Sequence, residues 1–406
     1  MRILHTADWH LGKRLEKFSR LEEQRQVLEE IIAIADEQQV DAVLIAGDLF
    51  DNFNPASEAV ELFYRTLKRL SAHGKRAVVA IAGNHDSPDR IEAPDALASE
   101  CGIFFSGYPN SIVSTCELDS GVCIAHSEPG FIELKLPSCD QKLRLLVTPY
   151  ANEYRLKTFL GMDNTEEELR QVLQRRWTEL ADRYCDDQGV NMLITHLFMM
   201  KKGAEKPEEP DDEKPILHVG GAQVVYSENI PPQIQYAALG HLHRYQQIDD
   251  RPCPVVYSSS PLSYSFSEAG QEKYVVIIDA LAGERVTFNK VALQSGRKLE
   301  RKRFDDIEKA LGWLYENPDA LVELTVSTDE YLRSEDRKRL LQAHQGIVTL
   351  IPEVRSLKTA SAVQRIDLNQ NMDDLFQQYF QHRHGQSANP ALLELFNEIR
   401  AEGTEE

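Results

Sequence analysis

Three apolar runs of strand type alternate with two amphipathic helical stretches in residues 1–86, and this alternation restricts the fold more than any other feature of the chain. The opening run, "MRILHTADWH", leads into a helical stretch from about Arg20 to Gln39, where Leu28, Ile31, Ile32 and Ala35 keep i, i+3, i+4, i+7 spacing. "DAVLIAGDLFD" has the pattern of a buried strand ending at Gly47 and Asp48. Asn54 is expected to cap the next helix, with Pro55 at its first position and Val60, Phe63, Leu67 and Leu70 along one stripe. "RAVVAIAGNHD" supplies the third strand, ending at Gly83 and Asn84. Strands joined through helices pair in parallel by right-handed crossovers. An α/β fold with helices covering the sheet follows for this half.

Further strand-like runs cover residues 143–150, 191–198, 235–243, 253–260, 273–280 and 284–293, and residues 166–184 have helical character. A smaller α/β unit comes next: the strand "RKLERKRF", a helix over 305–316, the strand "ALVELTVS", a helix over 334–344 and the strand "GIVTLIPEV". Past about Arg355 the chain turns polar, with two short amphipathic segments around Met372–Phe380 and Pro390–Arg400. The expected division is 1–285, 286–355 and 356–406.

Composition is that of a soluble globular protein, without a run long enough to span a membrane and without an apolar leader at its start. The six cysteines form no CxxC pair and read as reduced thiols, so a cytoplasmic location is expected. Lys plus Arg is 45 against 65 Asp plus Glu, a net charge of −20, which by itself argues against phosphate-rich partners. Runs such as "NTEEEL" (164–169) and "EKPEEPDDEKP" (205–215) place part of that acid on solvated surface and loop.

Polar residues collect where the strands end. The first delivers Asp8 and His10, the second Asp48 with Asp51 beyond it, the third Asn84, His85 and Asp86. Later strands deliver His196, then His241 and His243 from "GHLH". In an extended backbone, residues two apart face the same side. In open α/β sheets, such strand ends converge on one crevice. Carboxylates, imidazoles and one amide oxygen, without cysteine, suit Mn²⁺, Fe²⁺ or Zn²⁺ catalytic centres better than a structural thiolate site. Asp8, His10, Asp48, Asn84, His196, His241 and His243 make seven candidate ligands, about the number two ions need when they share a carboxylate. Two ions about 3.5–4 Å apart can hold both the attacking and leaving oxygens of a phosphoryl displacement.

In order, "DWH", "GDLFD", "GNHD", "TH" and "GHLH" resemble the calcineurin-like metallophosphoesterase superfamily. "ILHTADWHLGK", "AGDLFD", "AGNHD", "ALGHLH" and "YSSSPLSYSFSE" are similar to the SbcD family of bacterial nuclease subunits, which act in DNA repair with SbcC-type ATPases of the SMC class. The resemblance implies central β-sheets flanked by helices and a smaller capping domain. It implies that Asp8, His10 and His243 hold one ion, that Asn84, His196 and His241 hold the other, and that Asp48 bridges. His85 matches the family's catalytic histidine. The implied activity is Mn²⁺-dependent 3′→5′ exonuclease action on double strands and endonuclease action on single strands and hairpins. The implied assembly is a homodimer, nucleoid-associated, that grips SbcC through C-terminal helices. In "NPALLELFNEIR", Leu392, Leu395, Phe396 and Ile399 share the face such a helix would use.

Other expectations come from the residues alone. Asp51 is expected to orient His85 through its carboxylate. Asp86 is expected to brace rather than ligate, Trp9 to pack beside the metal loop, and His5 to be a hydrogen-bonded strand residue; His126 and His218 are taken as structural. Arg297, Lys298, Arg301, Lys302 and Arg303 are either a DNA contact or the charged outer face of a strand. Ser259 stands where the family often has glycine. Two other functions are compatible with the same residues: a phosphatase or phosphodiesterase acting on small or protein substrates, and a DNA-end tethering scaffold.

Overall fold

The computed structural model describes residues 1–157, 165–205, 224–329 and 332–354, with 375–377, 379–380, 392–393 and 396 of the C-terminal segment. Most of the acidic loop at 205–215 lies outside these, as do His218, Leu395, Ile399 and much of both tail segments. The chain divides into one unit of Met1–Val326 with Glu335–Ile351 and another of Ser327–Ser334 with Pro352–Glu406. In the second, the ring of Phe376 stacks on that of Phe396, with centroids 4.2 Å apart.

The first unit is built on two sheets. In one, the strands Arg2–Thr6, Ala42–Ile45, Ala77–Ile81 and Ile103–Ser106 run parallel. Tyr274–Asp279 pairs antiparallel with Arg2–Thr6, and Thr287–Ala292 closes that side. The other sheet has eight strands. Its centre is parallel: Cys139–Thr148, Gly189–His196, Tyr236–Gly240 and Val255–Tyr257. An antiparallel run of Phe131–Leu136, Cys123–Glu128 and Cys116–Glu117 extends it on one side.

Side-chain alternation explains the layering. Leu44 points into a core shared by both sheets, with Ile81, Leu145, Ile194 and Val256. Its neighbours Val43 and Ile45 point the other way, onto Leu28 and Ile31 of helix Leu21–Glu37 and Phe63 and Leu67 of helix Ser57–Leu70. On the far sheet, Ile194 faces inward, while Leu193 packs outward with Leu173 and Trp177 of helix Thr165–Tyr184. Period two in the strands and helical stripes outside give helix, sheet, sheet, helix. The parallel strands of both sheets end at one edge, which makes that edge the place for a site.

The second helix starts later than its sequence implies. It begins at Ser57 with Ala56 at the N-cap and no side-chain cap. The Asn54 amide oxygen instead accepts from Arg90 Nη2 at 2.9 Å, so Pro55 precedes the helix.

Strands Leu299–Phe304, Leu321–Thr328 and Ile347–Val354 form a three-stranded sheet with helix Ile307–Glu316, whose first turn is capped by Asp306 accepting from the Lys309 amide at 2.9 Å. Leu299 and Leu321 pack on Leu15 and Phe18 of the short hairpin that follows the first strand. Arg301 pairs with Glu323, Lys302 with Glu300, and Arg297 donates to the carbonyls of Asp319 and Ala320. Three of the five cations in the basic stretch thus have partners within the chain.

Candidate metal centre

Five loops at the common edge carry the polar residues, and their backbones approach too closely for ordinary side chains. A Cβ on Gly47 would overlap the His196 ring, one on Gly83 would overlap Asp48, and one on Gly240 would overlap the Ala46 carbonyl. This is why glycine precedes Asp48, Asn84 and His241 in the sequence. Asp8, His10, Asp48 and His241 themselves have positive φ, at 55°, 43°, 48° and 101°. An L-residue in that region costs about 1–2 kcal/mol, and such strain concentrates at functional sites. Here it is held by the ladder Asp8 N–H to Gly47 O (3.0 Å) and His10 N–H to Asp48 O (2.9 Å).

The structure brings all seven expected ligands together. His10 Nε2 and His243 Nε2 are 3.0 Å apart, and His10 Nε2 lies 3.6 Å from Asp48 Oδ2. The same Asp48 oxygen lies 3.2 Å from His196 Nε2. Asn84 Oδ1 is 2.9 Å from His196 Nε2 and 3.1 Å from His241 Nδ1. Asp8 groups with His10 and His243, and again with Asp48 and His196, with ligand atoms mutually within 4.8 Å in each set. Asp48 thus faces both groups of imidazoles.

The donor set fits divalent cations. Asp8 Oδ2 and Asp48 Oδ2 are buried and accept no hydrogen bond. An orphaned buried acceptor costs about 1–3 kcal/mol, more when charged. A divalent cation among the imidazoles would satisfy both oxygens. Electrostatics agree. Burial pushes Asp8 up to about 6, against the pull of His196 and His243. Burial also raises Asp48, but the His196 and His85 imidazoles more than offset it, holding it well below the usual carboxylate range. Burial lowers His196, and Asp48 overrides this to lift it to about 9. The cluster stabilises positive charge at its centre.

Neighbouring groups fix the rings. His196 Nδ1 faces Ala46 O at 2.8 Å, His85 Nδ1 faces Asp51 O at 2.9 Å, and His243 Nδ1 faces Glu268 Oε1 at 3.3 Å. A carbonyl or carboxylate only accepts, so each Nδ1 carries a proton, and in the neutral ring Nε2 keeps its lone pair for a cation. The His85 contact corrects an expectation: the hydrogen bond goes to the Asp51 main-chain carbonyl, while the Asp51 carboxylate lies 2.9 Å from Lys13 Nζ. The His85 amide donates to Asp48 Oδ1 at 2.9 Å.

Asp86 accepts from the amides of Gly83, Leu49 and Phe50 at 2.8–3.0 Å and so ties the second and third strand-end loops together. Trp9 is buried, its Nε1 donating to Thr6 Oγ1 at 3.0 Å. His5 is buried between Tyr236 OH and Leu239 O. His126 lies beside the rings of Phe131 and Tyr184.

Two contributors went unnoticed in the sequence. Arg155 is buried and donates to Gly83 O at 2.7 Å and Asp86 O at 2.8 Å, clamping the loop that carries Asn84 and His85. Nothing in its neighbourhood marks it. Glu268 ends "PLSYSFSE", a stretch specific enough to be noticed, but its acceptor role depends on a histidine 25 residues earlier.

Residues 1–245 match the family model described as calcineurin-like phosphoesterase. A Bacillus subtilis (strain 168) protein named as the SbcD component of the nuclease SbcCD is 37% identical over 415 residues, covering 100% of this chain and 99% of that protein. A Rhodobacter capsulatus protein of the same name is 34% identical over 286 residues, 70% of this chain and 67% of that protein. A solved dimetal phosphatase from Danio rerio aligns with 72% of this chain and 96% of its own, at 12% identity and a TM-score of 0.38.

Proposed function

The chain belongs to the calcineurin-like phosphoesterases, in the branch that holds the SbcD nuclease subunits, and from that premise we propose that it is the nuclease subunit of an SbcCD-type complex that hydrolyses DNA phosphodiesters. The observation that carries the reading is Asp48 Oδ2, buried without a hydrogen bond and facing His10 on one side and His196 on the other. Asp8, His10 and His243 would hold one ion, Asn84, His196 and His241 the other, and Asp48 both. Two divalent ions, when bound there, would supply Lewis acidity and acidify water; Mn²⁺ is the proposed metal, from the oxygen- and imidazole-rich donor set.

The chain's own residues do the rest. His85, with Nδ1 committed to Asp51 O, presents Nε2 to the substrate, where it protonates the leaving oxygen or stabilises its charge. Asp86 and Arg155 keep the His85 loop against the Asp48 loop. The substrates proposed are double-stranded ends, cut 3′→5′, and single strands and hairpins, cut internally.

Residues 286–355 are proposed as the cap over the nuclease domain, 1–285, and residues 356–406 as the segment that holds an SbcC-like ATPase. The stacking of Phe376 on Phe396 supports a tail whose two apolar segments act together. A homodimer in the nucleoid-bearing cytoplasm is the proposed state; among the described residues no helix is long and apolar enough to cross a membrane.

The test is cleavage of an end-labelled hairpin duplex with Mn²⁺, with Mg²⁺ and with chelator, for the wild type and His85→Ala. Mn²⁺-dependent cutting lost in the variant is expected. Hydrolysis of a small phosphomonoester without any cutting of DNA, alone or with the ATPase partner, would refute the nuclease reading. Full repair function of His85→Ala would point to a tethering scaffold.

A further inference from the structure

Behind His243 lies a buried ion pair that the chemistry above does not use. Glu268 is 2% exposed, Lys273 6% and His243 1%. Glu268 Oε1 faces His243 Nδ1 at 3.3 Å and accepts from the amides of Tyr264 and Ser265 at 3.0 and 3.1 Å. Its other oxygen bonds Lys273 Nζ. Lys273 also donates to His243 O at 2.8 Å and Ser260 Oγ at 2.9 Å. The pair therefore grips His243 twice, by its ring and by its main chain.

Burying a carboxylate and an ammonium costs several kcal/mol for each ion, so such a pair is a poor device for stability alone. A neutral brace would hold the 260–273 loop as well. What a carboxylate adds is specific to a ring nitrogen: it accepts from Nδ1–H, fixes the tautomer and makes Nε2 a stronger donor. His243 Nε2 is the atom that meets His10 Nε2 at 3.0 Å. The centre's other histidine anchors are main-chain carbonyls, at His196 and at His85. Of these three, His243 is the one whose Nδ1 has a carboxylate within hydrogen-bond reach; the Asp8 carboxylate stands 3.8 Å from His196 Nδ1.

We propose that Glu268, charge-balanced by Lys273, is the positioning residue that sets the affinity of the ion held by Asp8, His10 and His243, leaving the ion at Asn84, His196 and His241 largely untouched. The proposal rests on the two-ion reading of the centre. Lys273 bonds the carboxylate without drawing it off the ring, because Oε1 and Oε2 serve different partners.

The experiment is Mn²⁺ titration of the full-length chain, counting free ion by electron paramagnetic resonance, with melting in chelator as the fold control. The variants are Glu268→Gln and the double variant Glu268→Gln, Lys273→Met. Glutamine keeps an acceptor for the Tyr264 and Ser265 amides. The double variant leaves no buried charge uncompensated, so it folds even where the single variant does not. Expected is a loss of about 10- to 100-fold in affinity for one ion in both variants, the other ion bound as in the wild type. The melting temperature of the double variant in chelator should match the wild type. Wild-type affinity for both ions in the double variant would overturn the proposal. Equal weakening of both ions with a lowered melting temperature would also overturn it, in favour of a mere brace. A wild type that binds fewer than two Mn²⁺ would instead sink the two-ion reading beneath it.

Discussion

Ser259 stands where the family often has glycine, and the structure sets its cost against its return. Its φ is 85°, in the left-handed region, and it is fully buried. Its hydroxyl accepts from the Tyr274 amide at 2.9 Å and lies 3.2 Å from Tyr274 O and 3.1 Å from Ser260 O. It thus ties the end of the second sheet's strand Val255–Tyr257 to the start of the first sheet's strand Tyr274–Asp279. The conformation costs about 1–2 kcal/mol. Removing the hydroxyl leaves the Tyr274 amide without its acceptor, at about 1–3 kcal/mol. Ser259→Ala keeps the strain and loses the bond, so it should destabilise by about 1–3 kcal/mol. Ser259→Gly loses the same bond but relieves the strain, less about 0.5–1 kcal/mol for glycine's freer unfolded chain. The expected order is serine, then glycine, then alanine, with the last two separated by up to about 1.5 kcal/mol. Urea unfolding followed by tryptophan fluorescence in chelator reads this directly, since Trp9 and Trp177 lie in the cores outside the two sheets. Alanine equal to or more stable than glycine would refute the strain argument. Glycine more stable than serine would refute the weight given to the bond.

Asp51→Asn should change turnover by less than about tenfold, because His85 is held by the Asp51 main chain; a loss beyond about 100-fold, or a moved pH profile, would return the role to the carboxylate. Arg155→Ala should lower kcat with little change in KM, since it frees the loop carrying His85 while leaving the rest of the crevice intact; wild-type kcat in a folded variant would remove Arg155 from the account. Glu133 is raised by burial and lowered more strongly by bonds from Lys142 (2.6 Å) and Arg144 (3.0 Å), so its net shift is downward. A carboxyl lowered on folding stabilises above its unfolded value, about 4.3, and loses that contribution as pH falls through the lower folded value. Glu133→Gln should therefore be less stable than wild type at pH 7, with the gap closing toward pH 3; a gap independent of pH would show that packing, not charge, is at stake.

The centre was legible because its ligands follow strands of strong apolar pattern and because their types admit few chemistries. Each lies within a few residues of a strand end, so a local reading places it. What a local reading misses has distant or main-chain partners. Arg155 acts on carbonyls of Gly83 and Asp86, which no side-chain pattern announces. Asp51 looked like a carboxylate partner by type, and its main chain took the contact. Asn54 looked like a helix cap, and Arg90 claimed its amide. The strands over residues 116–136 were missed for another reason. Cys123–Glu128 has one buried residue and a register shift between Ile124 and His126, so period two is absent where it would be sought.

A net charge of −20 and a phosphate substrate are reconciled by where the positive charge is free. Among the described residues, a number of surface cations are paired with acids: Arg2 with Asp279, Arg69 with Glu29, Arg301 with Glu323, Arg339 with Glu308. Each pair is worth little to stability in solvent, but it withholds a charge from any passing phosphate. Affinity for nucleic acid scales with phosphates neutralised, the log–log salt slope being about −0.9 per contact. An acidic chain with many of its surface cations so engaged should show a shallow slope and weak binding by itself, leaving capture of DNA to the ions at the crevice and to the partner ATPase. Fluorescence anisotropy of a duplex across a salt series, with metal and the His85→Ala variant to prevent cutting, tests this. Micromolar or weaker binding with a slope shallower than about −3 is expected. A steep slope with nanomolar affinity would show that a basic track exists on the isolated chain and that the pairing seen here gives way to DNA.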